Sequence, residues 1–342
     1  MNNEAGEAST TAIPELAWAA AVEVIARTEQ VVLVCHVRPD ADALGSALAT
    51  ALALRALGKR VQVSYGDDPF ELPGSLAFLP ALDLVVPPEQ VPDAPELVVS
   101  LDVASVDRFG VLAPKVTAAD TLVVLDHHAS NPGFGTHRLI DPASPATVVL
   151  VEELLRRLGV ELTPEIASCL YAGLATDTGS FRHPSTTPAT HEFAARLLAV
   201  GIRHDEICRQ LWDTVRFGYL AVLGRALERA RLAPGAAGGH GLVWTVVPRA
   251  DRAEHGLRLE EVEGVIDLVR KAAEAEVAVV LKEDDHGCYQ LSLRSKGAVD
   301  VGAVCVALGG GGHRFAAGYT AGTGTPEQVV AELARAFAEV AR

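Results

Sequence analysis

The strongest constraint on the fold is an alternation of short β-branched runs with longer Ala/Leu-rich segments in the first half of the chain. The runs are VVLVC (31–35), VQVSY (61–65), LVVSL (97–101) and TLVVL (121–125). Each is apolar along its whole length, which a strand tolerates only when both faces of its sheet are covered. Strands separated by helices pair in parallel, so the pattern predicts an α/β fold with a parallel sheet. Between the first two runs, ALGSALATALALRALG (43–58) is apolar around most of its circumference and stops at Gly58, as a packed helix does. Helical patterns recur at 146–158, 163–177 and 188–200, the second opening on Thr163-Pro164, an N-cap followed by proline in the first turn. A helical stretch over 203–231 reads as a connector, and the small-residue segment APGAAGGHG (233–241) as a loop. A second, smaller α/β domain then runs through LVWTVVP (242–248), a helix near 258–274, strands at 278–283 and 288–295, a glycine loop GGGGH (309–313) and a helix over 326–341. The expected boundaries are 18–185, 186–236 for the connector, and 237–342.

Three of the four strand runs end in groups that can bind a metal. VVLVC leads into His36, Asp40 and Asp42, LVVSL into Asp102, and TLVVL into Asp126, His127 and His128. Each cluster alone has an ordinary explanation, since an Asp after a strand often caps the next helix. In an open parallel sheet, however, the carboxyl ends of the strands line one crevice, and three such clusters there imply a metal site. The set contains carboxylates and imidazoles without sulfur, which suits Mn²⁺ or Mg²⁺, with Fe²⁺, Co²⁺ and Zn²⁺ as competitors. The ligands outnumber one coordination sphere, so two ions are expected. Asp40 and Asp42 can point at neighbouring ions, and Asp102 is a natural bridge. A pair of ions roughly 3.5–4 Å apart activates water and clamps a phosphoryl group. Asp177, after a helix and before Gly179, is a further candidate ligand.

The charge balance bears on the substrate. Lys and Arg total 29 against 44 Asp and Glu, a formal net charge of −15. That excludes broad electrostatic binding to long duplex nucleic acid, which needs a basic face. It leaves room for a small nucleotide held by metal ions and a local basic patch. Such a patch lies at 286–320, where Arg294, Lys296 and Arg314 face only Asp300. Gly309 to Gly312 lead there into His313, and a glycine loop exposes N–H groups to an anion. Aromatic residues make up 5% of the chain, too few for a long base-stacking platform; Phe181, Tyr289, Phe315 and Tyr319 are the local candidates. The acidic N-terminal stretch lacks the order of a secretion signal, and charges break every long apolar run. The five cysteines are scattered and never in CxxC spacing. These features point to a cytoplasmic protein with no membrane span and no disulfide framework.

His36-x3-Asp40-x-Asp42, Asp102, Asp126-His127-His128 and Asp177 resemble the four motifs of the DHH phosphoesterase superfamily. GGGHRFAAG (310–318), preceded by Arg294-Ser295, resembles its DHH-associated C-terminal domain. With the chain length, the likeness is to the nanoRNase/pAp-phosphatase branch, where pAp is 3′-phosphoadenosine 5′-phosphate; that branch includes stand-alone cyclic-di-AMP phosphodiesterases. It implies a two-Mn²⁺ site, with His36 and Asp40 on one ion, Asp42, His127 and Asp177 on the other, and Asp102 between them. It also implies that Asp126 orients an imidazole and that His128 faces the scissile phosphate. Arg294, Ser295, Gly310, Gly311, Gly312 and His313 would hold the nucleotide from across an interdomain cleft. The implied substrates are short oligoribonucleotides, pAp, and cyclic or linear dinucleotides such as c-di-AMP and pApA; the implied assembly is a homodimer. Two other readings stand beside this one: an inorganic pyrophosphatase, and a module that binds a cyclic dinucleotide without cleaving it.

Overall fold

The structure, a computed structural model, describes residues 13–340. The acidic stretch at 1–12 and the last residue of the helix expected over 326–341 lie outside them. The chain divides into two compact units, one ending at Thr214 and the other beginning at Val215.

The first unit runs α1 (Glu15–Arg27), β1 (Gln30–Val34), α2 (Ala41–Ala56), β2 (Arg60–Ser64), β3 (Leu97–Leu101), α3 (Ala113–Thr117), β4 (Thr121–Asp126), β5 (His137–Ile140), α4 (Thr147–Arg157), α5 (Pro164–Asp177), α6 (Pro188–Ala199) and α7 (His204–Trp212). Its five strands form one parallel sheet in the order β2-β1-β3-β4-β5. The four apolar runs are β1 to β4, as their composition predicts. Both faces are covered: Val31 and Leu33 enter a core built with α2, α4 and α5, while Val32 and Val34 pack with Phe109, Leu112 and Val116. Thr163 caps α5 by accepting from the Ile166 N–H at 3.3 Å, with Pro164 in the first turn.

The second unit contains α8 (Phe217–Glu228), β6 (Arg231–Ala233), β7 (Leu242–Val247), α9 (Arg249–Glu254), α10 (Val265–Val269), β8 (Val277–Glu283), β9 (Tyr289–Ser295), α11 (Val301–Ala307), β10 (Gly311–His313), β11 (Ala316–Ala321) and α12 (Pro326–Val340). Its mixed sheet has the order β10-β11-β9-β8-β7-β6, with β7 and β8 parallel and the other pairs antiparallel.

Three expectations are corrected. The stretch at 203–231 is not one helix: it breaks after Trp212, where the Thr214 hydroxyl turns back onto the Arg209 carbonyl at 2.9 Å, and resumes as α8. The helix expected near 258–274 is a 3₁₀ turn at Glu260–Val262 and the short α10, closed by i to i+3 bonds such as Glu263 N–H to Glu260 at 3.3 Å. The glycine run is a loop only through Gly309 and Gly310; from Gly311 to His313 it is the edge strand β10. A Cβ on Gly310 would lie 2.3 Å from the Gly318 carbonyl oxygen, and one on Gly312 2.5 Å from the Ala317 Cα, so glycine there permits close strand approach. Among the described residues, no helix is long and apolar enough to cross a membrane.

Candidate metal centre

In the first sheet β1 lies between β2 and β3, so the direction of strand addition reverses there, and the crevice of an open sheet opens at such a point. His36 follows β1 and Asp102 follows β3. The Asp102 carboxylate sits between two imidazoles: Oδ2 lies 3.6 Å from His36 Nε2 and Oδ1 lies 3.5 Å from His127 Nε2. His36 Nε2 is also 3.8 Å from Asp40 Oδ2, and His127 Nε2 is 3.0 Å from Asp177 Oδ2 and 4.0 Å from Asp42 Oδ2. Each ring is set by its other nitrogen. His36 Nδ1 lies 2.8 Å from the Val37 carbonyl and His127 Nδ1 lies 3.2 Å from that of Ser144, so both rings present Nε2 to the acids.

The acids are held as firmly as the rings. Asp40 caps α2 through Oδ1, accepting from the Asp42 and Ala43 N–H groups at 3.0 Å each, which leaves Oδ2 toward His36. The ordinary capping role and the ligand geometry thus coexist in one side chain. Asp42 accepts from the Thr147 N–H at 2.7 Å and the Val148 N–H at 3.0 Å, at the positive end of α4. The Thr147 hydroxyl donates to Asp102 Oδ1 at 2.7 Å. Asp177 is brought in by a close crossing of α2 and α5, where a Cβ on Gly173 would lie 2.9 Å from the Asp42 Cα.

Asp126 and His128 join the cluster through Asp102, whose Oδ1 lies 3.6 Å from His128 Nδ1. His128 Nδ1 lies 2.7 Å from Asp126 Oδ1, and Asn131 Nδ2 donates to Asp126 Oδ2 at 2.6 Å. Backbone strain collects in the same loops. Of the six non-glycine residues with positive φ among those described, Arg38, Asp102, Ser180 and Phe181 flank or belong to this cluster.

The charge distribution shows what the cluster is suited to hold. Burial first, then the charges of Asp102 and Asp177, push Asp42 well above the usual carboxylate range; burial also lifts Asp177 to about 6. Burial opposes Asp102 as an anion too, yet the His36 hydrogen bond and the charges of His127 and His128 hold it low. Burial works against charge on the His36 ring, but Asp102 and Asp40 outweigh it and raise it to about 10. Asp42 and Asp102 are buried without a lysine or arginine ion partner among the described residues; the basic groups facing them are the His36 and His127 rings, whose protons would balance charge there. Oxygen and imidazole donors converge within 4.8 Å in the sets His36, Asp40, Asp102 and Asp42, Asp102, His127. The residues therefore fit divalent cations, which would displace those protons.

The sequence does not single out Thr147, Asn131 or Arg108. Thr147 and Asn131 hold acids rather than standing at strand ends. Arg108 follows Asp102 by six positions and reaches back, its Nη2 3.1 Å from His36 Nδ1.

In the second unit, Arg294 on β9 pairs across the sheet with Ala316 on β11, which pairs with His313 on β10. Arg294 and His313 therefore share a face, with the small Ala316 between them. Gly311 and Gly312 lie on that edge strand beside His313, and Gly310 precedes it. Ser295 does not join them. It points to the opposite face of β9, is buried, and gives its hydroxyl to Glu276 Oε1 at 2.8 Å, so it is a structural residue rather than a ligand contact.

The first unit matches the family model described as DHH family, N-terminal domain, over residues 30–174, and the second matches the DHHA1 domain over 238–342. The curated bifunctional oligoribonuclease and PAP phosphatase NrnA of Thermus thermophilus is 36% identical over 289 residues, 83% of this chain and 82% of that one. The chain belongs to the DHH family. Among solved structures, an exopolyphosphatase-related protein from Bacteroides fragilis superposes with a TM-score of 0.86 at 24% identity, covering 96% of this DHH protein and 98% of its own chain. RecJ of Thermus thermophilus, solved in complex with Mn²⁺, matches with a TM-score of 0.54 at 18% identity, over 97% of this chain and 56% of its own. The last two likenesses establish the fold.

Proposed function

We propose that this DHH protein hydrolyses phosphate esters of short nucleotides: oligoribonucleotides a few residues long, pAp, and linear or cyclic dinucleotides such as pApA and c-di-AMP. The observation that carries the reading is the placement of Asp102 between His36 and His127, with Asp40 on one side and Asp42 and Asp177 on the other. That is a cradle for two divalent ions sharing one carboxylate, Mn²⁺ first among the candidates and Mg²⁺, Co²⁺ or Fe²⁺ after it. His36 and Asp40 would hold one ion, Asp42, His127 and Asp177 the other, and Asp102 both. When bound, such ions supply Lewis-acid charge to phosphoryl oxygens and acidity to water.

The remaining chemistry belongs to the chain. Thr147 and the first turn of α4 fix Asp102 and Asp42, so the cradle needs no rearrangement when charge develops on the phosphate. Asp126 Oδ1 accepts a hydrogen bond from the His128 Nδ1–H at 2.7 Å, which would leave His128 Nε2 to give a proton to a leaving oxygen. On the second unit, Arg294 offers a fork for a phosphate, with His313 on the same sheet face and Gly311 and Gly312 beside it, while the Gly310 N–H is held by the Cys305 carbonyl at 2.7 Å. The NrnA relative, named as an oligoribonuclease and PAP phosphatase, supports the substrate class.

The test is a substrate panel at fixed Mn²⁺: pApA, a trinucleotide, pAp, c-di-AMP and pyrophosphate. The expected result is turnover of the adenine nucleotides well above that of pyrophosphate. Pyrophosphate far in excess would make the protein a pyrophosphatase, and intact ligands after long incubation would make it a binding module.

A further inference from the structure

Among the described residues, Arg108 places its guanidinium against a proposed metal ligand, His36, and no role given so far uses it. It lies in the 3₁₀ turns at Val106–Leu112, beyond β3. The backbone there is fixed from both sides: the Arg108 carbonyl accepts from the Val37 N–H at 2.9 Å, and its own N–H donates to Ser105 at 3.0 Å. Phe109 beside it is fully buried. The guanidinium is therefore delivered to one place, against the loop that carries His36.

Its contact there is not a hydrogen bond that satisfies it. His36 Nδ1 faces both the Val37 carbonyl at 2.8 Å and Arg108 Nη2 at 3.1 Å. A carbonyl only accepts, so Nδ1 carries the proton and cannot accept from the guanidinium. Among the described residues, Arg108 then has no side-chain hydrogen-bond acceptor and no carboxylate within ion-pair distance. Burial first, and then Arg38, work against its charge and outweigh the longer-range support of Asp40, Asp102 and Asp67. Cations bound to Asp40 and Asp102 would cancel the support of those two acids, leaving a half-buried guanidinium beside two ions with Asp67 as its remaining acidic neighbour. A phosphate group supplies what is missing, because a guanidinium fork matches two of its oxygens and its charge balances the site.

We propose that Arg108 holds a non-bridging oxygen of the reacting phosphate at the His36 side of the cluster, an inference that rests on the phosphoesterase reading above. Arg108 thereby couples the two binding events. It opposes metal ions when the site is free of phosphate and favours phosphate once the ions are in place.

The experiment is calorimetry on the full chain with R108Q and R108K, using Mn²⁺ alone and then inorganic phosphate on Mn²⁺-saturated protein. The expected result for R108Q is Mn²⁺ affinity equal to or tighter than wild type and phosphate affinity lower by about ten- to a hundredfold, with R108K between. Weaker Mn²⁺ binding with phosphate affinity within about twofold of wild type would make Arg108 a prop for His36 and overturn the proposal. Two unchanged affinities would overturn it as well. Should R108Q fail to fold, R108K with wild-type phosphate affinity overturns it equally. A wild-type protein that hydrolyses no nucleotide in the panel would instead sink the functional reading, while its phosphate affinity stayed measurable.

Discussion

Gly173 sits where α5 crosses α2, one turn before Asp177, and replacing it by alanine tests whether that crossing sets the ligand geometry. The added methyl would lie 2.7 Å from Val148 Cγ1, 2.9 Å from the Asp42 Cα and 2.9 Å from Asp42 Oδ1. Ordinary carbon contacts begin near 3.4 Å, so the helices must part by about 0.5–0.7 Å; Val148 is fully buried and cannot swing away. Overpacking of this kind costs about 1–3 kcal/mol, or roughly 2–12 °C in the melting temperature of a unit this size. Helix propensity works in the other direction, favouring alanine by up to about 1 kcal/mol. The sign of the result therefore decides between the two effects. Because Asp177 and Asp42 separate as α5 moves, G173A should also lose about tenfold or more in kcat. G224A is the control: Gly224 lies in α8 with no atom within 4 Å of its added methyl, so the same substitution there should be neutral or stabilising. Thermal melts and initial rates on pAp measure both quantities. A G173A protein as stable and as active as wild type would refute the argument that close helix approach builds the site.

Two further perturbations separate positioning from structure. N131A removes the donor to Asp126 Oδ2 and should lower kcat about tenfold or more while leaving the Mn²⁺ stoichiometry intact; unchanged kcat would mean that Asp126 needs no such support. E263Q addresses the second unit, where Glu263 meets Lys282 and the Ser292 hydroxyl. Burial raises the Glu263 carboxyl, but the Lys282 ammonium, Ser292 and Arg294 outweigh it and hold it below its ordinary 4.5. A carboxylate depressed by folding stabilises above its unfolded pKa, and that contribution is lost as pH falls through the folded value. Denaturant unfolding of wild type and E263Q should thus differ more at about pH 7 than at about pH 3.5, and a constant difference would contradict the assignment.

Much of the first unit is legible in the sequence because its code is redundant. VVLVC, VQVSY, LVVSL and TLVVL are apolar on both faces, and only a covered parallel sheet accommodates four of them. Once the sheet is parallel, His36, Asp102 and Asp126–His128 must emerge at one end, so the cluster follows from strand direction alone. Thr147 and Asn131 escaped because a residue that holds an acid has no spacing rule of its own. Their partners are chosen by tertiary contact, across 45 residues for Thr147 and Asp102. Ser295 shows the opposite failure: adjacency to Arg294 suggested a shared role, but neighbouring residues on a strand face opposite ways. The glycine run reads as flexibility in sequence, yet its second half is an edge strand in space, since close strand approach and loop freedom both select glycine. The break after Trp212 depends on one threonine hydroxyl, which periodicity does not register.

The central claim is that Asp102 joins two ions in one hydrolytic site. It is tested most directly by titrating Mn²⁺ into metal-stripped protein while following hydrolysis of pApA. The account predicts that the rate climbs to a plateau at two ions per chain, and that D102A reaches no comparable rate at any Mn²⁺ concentration. A plateau at one ion, or near-normal turnover by D102A, would contradict it.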